Sequence, residues 1–142
     1  MGNTLSIRKI NCEDMQKACN GSNHDSYIII NTLEANMQKC LIKNTIQIDQ
    51  EEQIINSIIK KTRNKNIIVY GRNCNDEKTY KKYEQLVGLG FTNVYIYVGG
   101  MFEWLLLQDI YGNELFPTTS KELDILKYKS HRIFDVKYIE NG

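Results

Sequence analysis

Four cysteines, two histidines and one tightly spaced polar loop are the parts of this chain whose residue types could do chemistry. The cysteines are Cys12, Cys19, Cys40 and Cys74, and no two of them form a C-x-x-C pair. They are expected to be reduced thiols in the cytosol, since no secretory leader pattern precedes them. His24 and His131 lie at ligand spacing from no other His, Cys or acidic cluster, so no metal site is expected. The polar loop is Gly71-Arg72-Asn73-Cys74-Asn75-Asp76-Glu77. In it Cys74 is the candidate nucleophile, able to attack a sulfane sulfur and carry it as a persulfide, and Arg72 is the candidate anion-recognising partner. Arg72 and loop amides would lower the thiol's pKa while Asp76 and Glu77 would raise it, so spacing alone leaves its reactivity open.

A different kind of chemistry is written at the N-terminus. Met1-Gly2-Asn3-Thr4-Leu5-Ser6 fits the pattern in which Met1 is removed and Gly2 accepts a myristoyl chain. One acyl chain anchors only weakly, and Arg8 with Lys9, or acylation of Cys12, are the available second signals. Modification at Gly2 is the expectation for a eukaryotic or viral host, which would make the protein cytoplasmic and peripheral at membranes. Asn20-Gly21-Ser22 is formally a glycosylation acceptor, without meaning unless the chain is secreted.

The elements that must position these residues follow from hydrophobic period. Tyr27–Asn31, Asn66–Tyr70 and Asn93–Val98 are short β-branched and aromatic runs that read as strands buried on both faces. Leu41–Ile48 reads as a further short strand with Asn44 at its turn. Asp49 and Glu52 form a capping-box pattern ahead of Ile54, Ile55, Ile58 and Ile59, one apolar helical face. A second helix after Asp76 carries Tyr80, Tyr83, Leu86 and Val87 on one side and is closed by Gly90. A third, apolar nearly all round, spans Met101 to Ile110 and ends at Gly112. Strand, helix, strand, helix, strand with short connections predicts parallel pairing and an α/β domain with helices on both faces. Thr119 and Glu122 suggest another capping box opening a short helix to about Tyr128, and Ile133–Ile139 alternates weakly, like an edge strand or a surface segment. Asn11–Ser26 shows no sustained period and reads as a linker.

Bulk properties bound the rest. The chain has 142 residues, room for one domain. Its 42% hydrophobic and 25% charged residues and mean hydropathy of -0.44 belong to an ordinary globular chain. A net charge of +1, from 18 basic and 17 acidic residues, supplies no field toward phosphate backbones, so nucleic acid is not an expected partner. No apolar run approaches the roughly 20 residues a spanning helix needs.

The order of these elements resembles the rhodanese-like domain family over about Tyr27 to Pro117. The best marker is Asn93-Val-Tyr-Ile-Tyr-Val-Gly-Gly-Met-Phe-Glu-Trp104, similar to the family's strand, double glycine and tryptophan-bearing helix. Leu41–Ile46 is similar to the family's His-Ile-Pro-Gly-Ala-Ile segment with Asn44 in place of the glycine, and Gly88–Val94 to its helix-to-strand connection. The resemblance implies one domain with a central, mostly parallel sheet and helices on both faces. It would occupy residues 27–117, between a flexible segment 1–26 and an extension 118–142. It implies chemistry at a cysteine in the first position of the loop, where amides curl around its sulfur to stabilise a thiolate, a persulfide or, in the phosphatases of the same fold, a phosphate ester. Here that position is Gly71, with Cys74 three residues late. Phosphatase relatives also carry an arginine six residues after the nucleophile, where this chain has Glu77.

Asp76 and Glu77 suit the first turn of a helix, contributing about 0.3 to 1 kcal/mol each. Two such charges about 5 Å from a bound anion would oppose it by several kcal/mol before screening. Phosphatase action is therefore rejected. The expectation is a rhodanese-like module without the usual nucleophile, a binding or scaffold protein needing no cofactor, whose partner the sequence does not identify. The alternative is a sulfurtransferase or thiol-redox enzyme using Cys74, weighed against an incidental loop cysteine. Trp104, Tyr95, Tyr97 and the apolar run Phe102–Leu107 are read as core rather than as a ligand groove or partner-binding face.

Overall fold

The computed structural model describes residues 6–20 and 25–134. Four strands, β1 (Lys9–Ile10), β2 (Tyr27–Asn31), β3 (Asn66–Tyr70) and β4 (Val94–Tyr97), form one sheet in the order β1-β4-β3-β2. Every pairing is parallel, with Ile29 beside Ile68 and Ile68 beside Tyr95. Parallel neighbours require crossovers, and three helices supply them, α1 (Cys12–Cys19), α2 (Ile48–Ile59) and α3 (Glu77–Gly88), while α4 (Gly100–Tyr111) follows the last strand. The alternation of the strands divides the core in two. Ile29, Ile68, Tyr70 and Tyr97 pack with Met15 and Cys19 of α1 and with Met101, Trp104 and Leu105 of α4. Ile28, Ile30, Ile67, Val69, Val94 and Ile96 face Ile55 of α2 and Tyr83 and Leu86 of α3. Helices thus cover both faces, as the element order predicts.

Trp104 and Tyr97 are fully buried, edge to face with centroids 5.8 Å apart, and the indole N–H donates to the Pro117 carbonyl at 3.1 Å. Tyr95 stands nearer the edge, where the Arg8 guanidinium lies 4.5 Å over its ring and donates to its hydroxyl. The Tyr70 hydroxyl, buried among Ile42 and Thr45, ties the 41–45 turn to the end of β3.

Several sequence expectations are corrected. The supposed linker 11–26 contains α1, capped reciprocally by Asn11 and Asp14, with Met15, Ala18 and Cys19 buried. Its apolar face is only three residues wide, too short to register as a period. The expected strand 41–48 is a turn with single bridges, Ile29 to Thr45 and Ile42 to Thr118, and Asn44 takes the left-handed conformation at φ 70°. α2 begins one residue before Asp49, with Gln47 at the cap and no side-chain capping bond, so the Asp49–Glu52 box does not form. No helix opens at Thr119 either. Its hydroxyl donates to the Lys39 carbonyl and accepts from the Leu41 amide, leaving it no helix amide to cap, and a 3-10 turn at Ile125–Tyr128 follows instead. His24, Gly21 and most of the Ile133–Ile139 segment fall outside the described residues.

Packing α1 on the sheet has a measurable electrostatic consequence. Burial pushes the Cys19 thiol up from 9.0 to about 11. A folded-state pKa raised in this way contributes stability that is complete below pH 9 and is lost as pH rises toward 11. Urea unfolding of the wild type should therefore weaken across that window, with a shallower decline in Cys19→Ala. Identical slopes would mean that α1 does not bury this thiol.

Candidate active-site loop

β3 delivers the chain into the loop 71–76, and α3 leaves from it. The shape of the loop is set by Asp76, whose side chain turns inward. One carboxylate oxygen accepts the Arg72 amide at 3.0 Å and the other accepts the Lys78 amide at 3.1 Å, so a single group caps α3 and fills the curl of the loop. A Cβ placed on Gly71 would collide with the Thr79 hydroxyl and the Asp76 carboxylate and would stand 2.8 Å from the Thr32 hydroxyl. Thr32 and Thr79 hydrogen-bond to each other there at 3.1 Å. No side chain larger than glycine's fits the first loop position as the loop stands.

Two further elements clamp the loop. The first amides of α4 reach it directly: Met101 N–H donates to the Gly71 carbonyl at 2.9 Å and Phe102 N–H to the Arg72 carbonyl at 2.8 Å. That approach demands glycine at position 100, where φ is 65° and a Cβ would lie 2.7 Å from the Gly71 oxygen. On the other side, residues 127–130 run across the loop as a strap. Arg72 Nη2 donates to the Lys127 carbonyl at 2.6 Å, Asn73 Nδ2 to the Tyr128 carbonyl at 2.7 Å and Asn75 Nδ2 to Ser130 Oγ at 3.1 Å. Buried Tyr128 anchors the strap in the core.

The candidate residues from the sequence are therefore close together but differently used. Arg72 is drawn toward the strap and Glu34, 3.9 Å from its Nη1, and its Nε is buried without a partner among the described residues. Asn73 also accepts the Asn75 amide at 2.9 Å, which tightens the turn. Cys74 is exposed, and its sulfur hydrogen-bonds only the Asn75 side-chain oxygen at 3.8 Å among the described residues. Glu77 is exposed at the start of α3. The expectation that both acids stand at the mouth is corrected for Asp76, which lies inside the curl. A cavity of about 560 Å³ opens above it, lined by Arg72, Lys78, Lys81, Lys129 and His131 as well as by Glu34 and Glu77. Reading along the chain missed Thr32, Thr79 and the strap, because each reaches the loop from a distant segment and carries no local signal.

Gly2 lies outside the described residues. Among the described residues no helix is long and apolar enough to cross a membrane, and no group of three metal-ligating side chains converges.

Filling the space behind the first loop position is an overpacking change, which costs about 1 to 3 kcal/mol. Gly71→Ala should lose that much stability in urea, and adding Asp76→Gly should recover part of the loss despite removing the cap. A Gly71→Ala protein as stable as wild type would show that the space is not filled as described.

The family model of the rhodanese-like domain matches residues 13–107, and so takes in most of α1, the strands β2, β3 and β4, and the loop. Among solved structures, the BH2092 protein from Bacillus halodurans superimposes with a TM-score of 0.59 at 16% identity, over 86% of this chain and 90% of that one. The Alr3790 protein from Anabaena sp. gives 0.57 at 18% identity, over 83% and 86%. The yeast protein Ygr203w, described as a protein tyrosine phosphatase of the Rhodanese family, gives 0.58 at 11% identity, over 86% and 99%. No curated protein matches. Identities this low speak for the fold alone, but the family match spans well over half of the residues, and on it the chain belongs to the rhodanese-like domain family.

Proposed function

We propose that the protein is a non-catalytic rhodanese-like domain, a binding or scaffold module held at membranes through a myristoyl chain on Gly2. The observation that carries the first part is the Asp76 carboxylate seated on the Arg72 amide of its own loop and on the Lys78 amide of α3. In an active member of the fold those amides face a substrate anion or a charged sulfur. Here a tethered carboxylate competes for them, at an effective concentration on the order of millimolar or higher for so short a tether. Glycine at the first position supplies no nucleophile, and Thr32, Thr79 and Asp76 occupy the volume a cysteine side chain would need.

The phosphatase description of the yeast relative does not carry over. Phosphoryl transfer through a covalent intermediate needs a nucleophile aimed at a bound phosphate, and this loop offers neither. A sulfurtransferase working through Cys74 has one observation in its favour, the exposure of the thiol to a donor. Against it, among the described residues no amide donates to that sulfur, and the Arg72 guanidinium is engaged by the Lys127 carbonyl. The membrane part of the proposal rests on the sequence Met1-Gly2-Asn3-Thr4-Leu5-Ser6 and on Arg8 and Lys9, both exposed at the start of β1.

Thiosulfate-to-cyanide sulfur transfer and hydrolysis of an aryl phosphate should both stay at the level of the buffer blank, in wild type and in Cys74→Ser alike. Robust sulfur transfer abolished by Cys74→Ser would overturn the non-catalytic reading. Expressed with an N-myristoyltransferase, the protein should gain the mass of one myristoyl group and partition to vesicles, and Gly2→Ala should do neither. An unmodified terminus in that host would end the tethering proposal.

A further inference from the structure

α4 has two apolar faces and only one of them is used. Met101, Trp104 and Leu105 point into the core. On the outward side Phe102 is half-buried, and Leu106 and Ile110 follow it at four-residue spacing with 40% and 67% of their surfaces exposed. Tyr111 and Leu115 extend the apolar surface, at 60% and 52% exposed. The stripe opens at its N-terminal end into a groove of about 510 Å³ walled by Ile10, Val98, Phe102 and Leu106, with Cys74 and Ser130 on its rim. The sequence expectation that the 102–107 run is wholly buried thus holds for one face only. Scattered exposed apolar residues are ordinary on a protein surface, but a continuous stripe leading into an apolar groove marks an interaction site.

The charges beside the stripe say what it fits. α4 and the turn after it, residues 100–116, carry Glu103, Asp109 and Glu114 and no basic residue, and the neighbouring segment 8–17 adds Glu13 and Asp14 together with Arg8, Lys9 and Lys17. Glu103 accepts the Tyr97 hydroxyl at 2.5 Å, and none of the other four acids is in an ion pair among the described residues. Glu13 and Glu103 both act on the Cys12 thiol, which places the start of α1 within the electrostatic reach of α4.

We propose that this face docks an amphipathic helix of a partner protein, with apolar anchors seated along Phe102, Leu106 and Ile110 and basic residues flanking them. An apolar stripe meeting the apolar side of a helix is a recurring recognition mode, and the carboxylate rim gives it a preference for Lys and Arg. A second copy of this chain is a poor occupant, since an isologous contact would set the same acids against one another. An anionic membrane is repelled by the rim for the same reason. The inference concerns α4 and not the nest, so it stands or falls independently of whether the loop is silent.

The test uses the full-length protein and three designed peptides: a leucine-striped helix with Lys and Arg flanks, its twin with Glu in place of the basic residues, and a scrambled version of the basic peptide. By calorimetric titration the basic helix should bind and the other two should not. Leu106→Glu and Ile110→Glu, both at exposed positions and checked for folding by circular dichroism, should each weaken binding by about tenfold or more. The Asp109→Lys, Glu114→Lys double variant should weaken it as well, and bound peptide should slow alkylation of Cys74 at the groove rim. Equal binding of all three peptides, binding that the variants leave unchanged, or no binding at all would overturn the proposal. So would a dimer of the wild type, seen by sedimentation equilibrium and lost in Ile110→Glu, because the face would then belong to a second copy.

Discussion

A carboxylate that accepts one amide of its own loop and one of the helix that follows is the contact around which this end of the protein is arranged. Asp76 holds the Arg72 and Lys78 amides, caps α3 and lies in the volume behind Gly71. Hydrogen bonds to a charged acceptor are worth about 1.5 to 3 kcal/mol each when buried and less when water competes, so the two together hold the loop in one shape. The Arg72 amide of the loop and the Lys78 amide of α3 are thus satisfied from within the chain. The residue at the first loop position follows from that arrangement: with the interior filled by Asp76 and two threonine hydroxyls, glycine is what fits.

The rest of the domain is built to keep that loop where it is. β3 is a central strand, paired on both sides, and it brings Gly71 out between two helical layers. The N-terminus of α4 donates to the carbonyls of Gly71 and Arg72, which is possible only because Gly100 allows the backbones to approach. The strap at 127–130 holds the opposite side through Arg72, Asn73 and Asn75. Polar side chains that could face a ligand are thereby spent on structure, the Arg72 guanidinium most of all. The loop is closed by these internal bonds, and two accessible features lie outside it. These are the cavity above the loop, lined by charges of both signs, and the apolar stripe of α4.

Much of this was legible along the chain and some was not. The three long strands and the helices after Asp76 and Gly99 were readable, because each is a local pattern of period or cap. α1 was not, since three buried residues in eight give no period that stands out from a linker. The box at Asp49 does not form because α2 begins at Ile48 with Gln47 at its cap. A capping pattern states what a side chain could bond, and Thr119 had stronger tertiary claims from Lys39 and Leu41.

What the sequence by itself determined is the class of fold and a glycine rather than a cysteine at the first loop position, because hydrophobic period and residue identity are local properties. What only the tertiary structure decided is where the charge of Asp76 goes. Residue spacing is compatible with a carboxylate at the mouth, repelling an anion, or within the curl, replacing one. The choice rests on Gly71, Thr32 and Thr79 leaving a space that segments far apart in sequence define together.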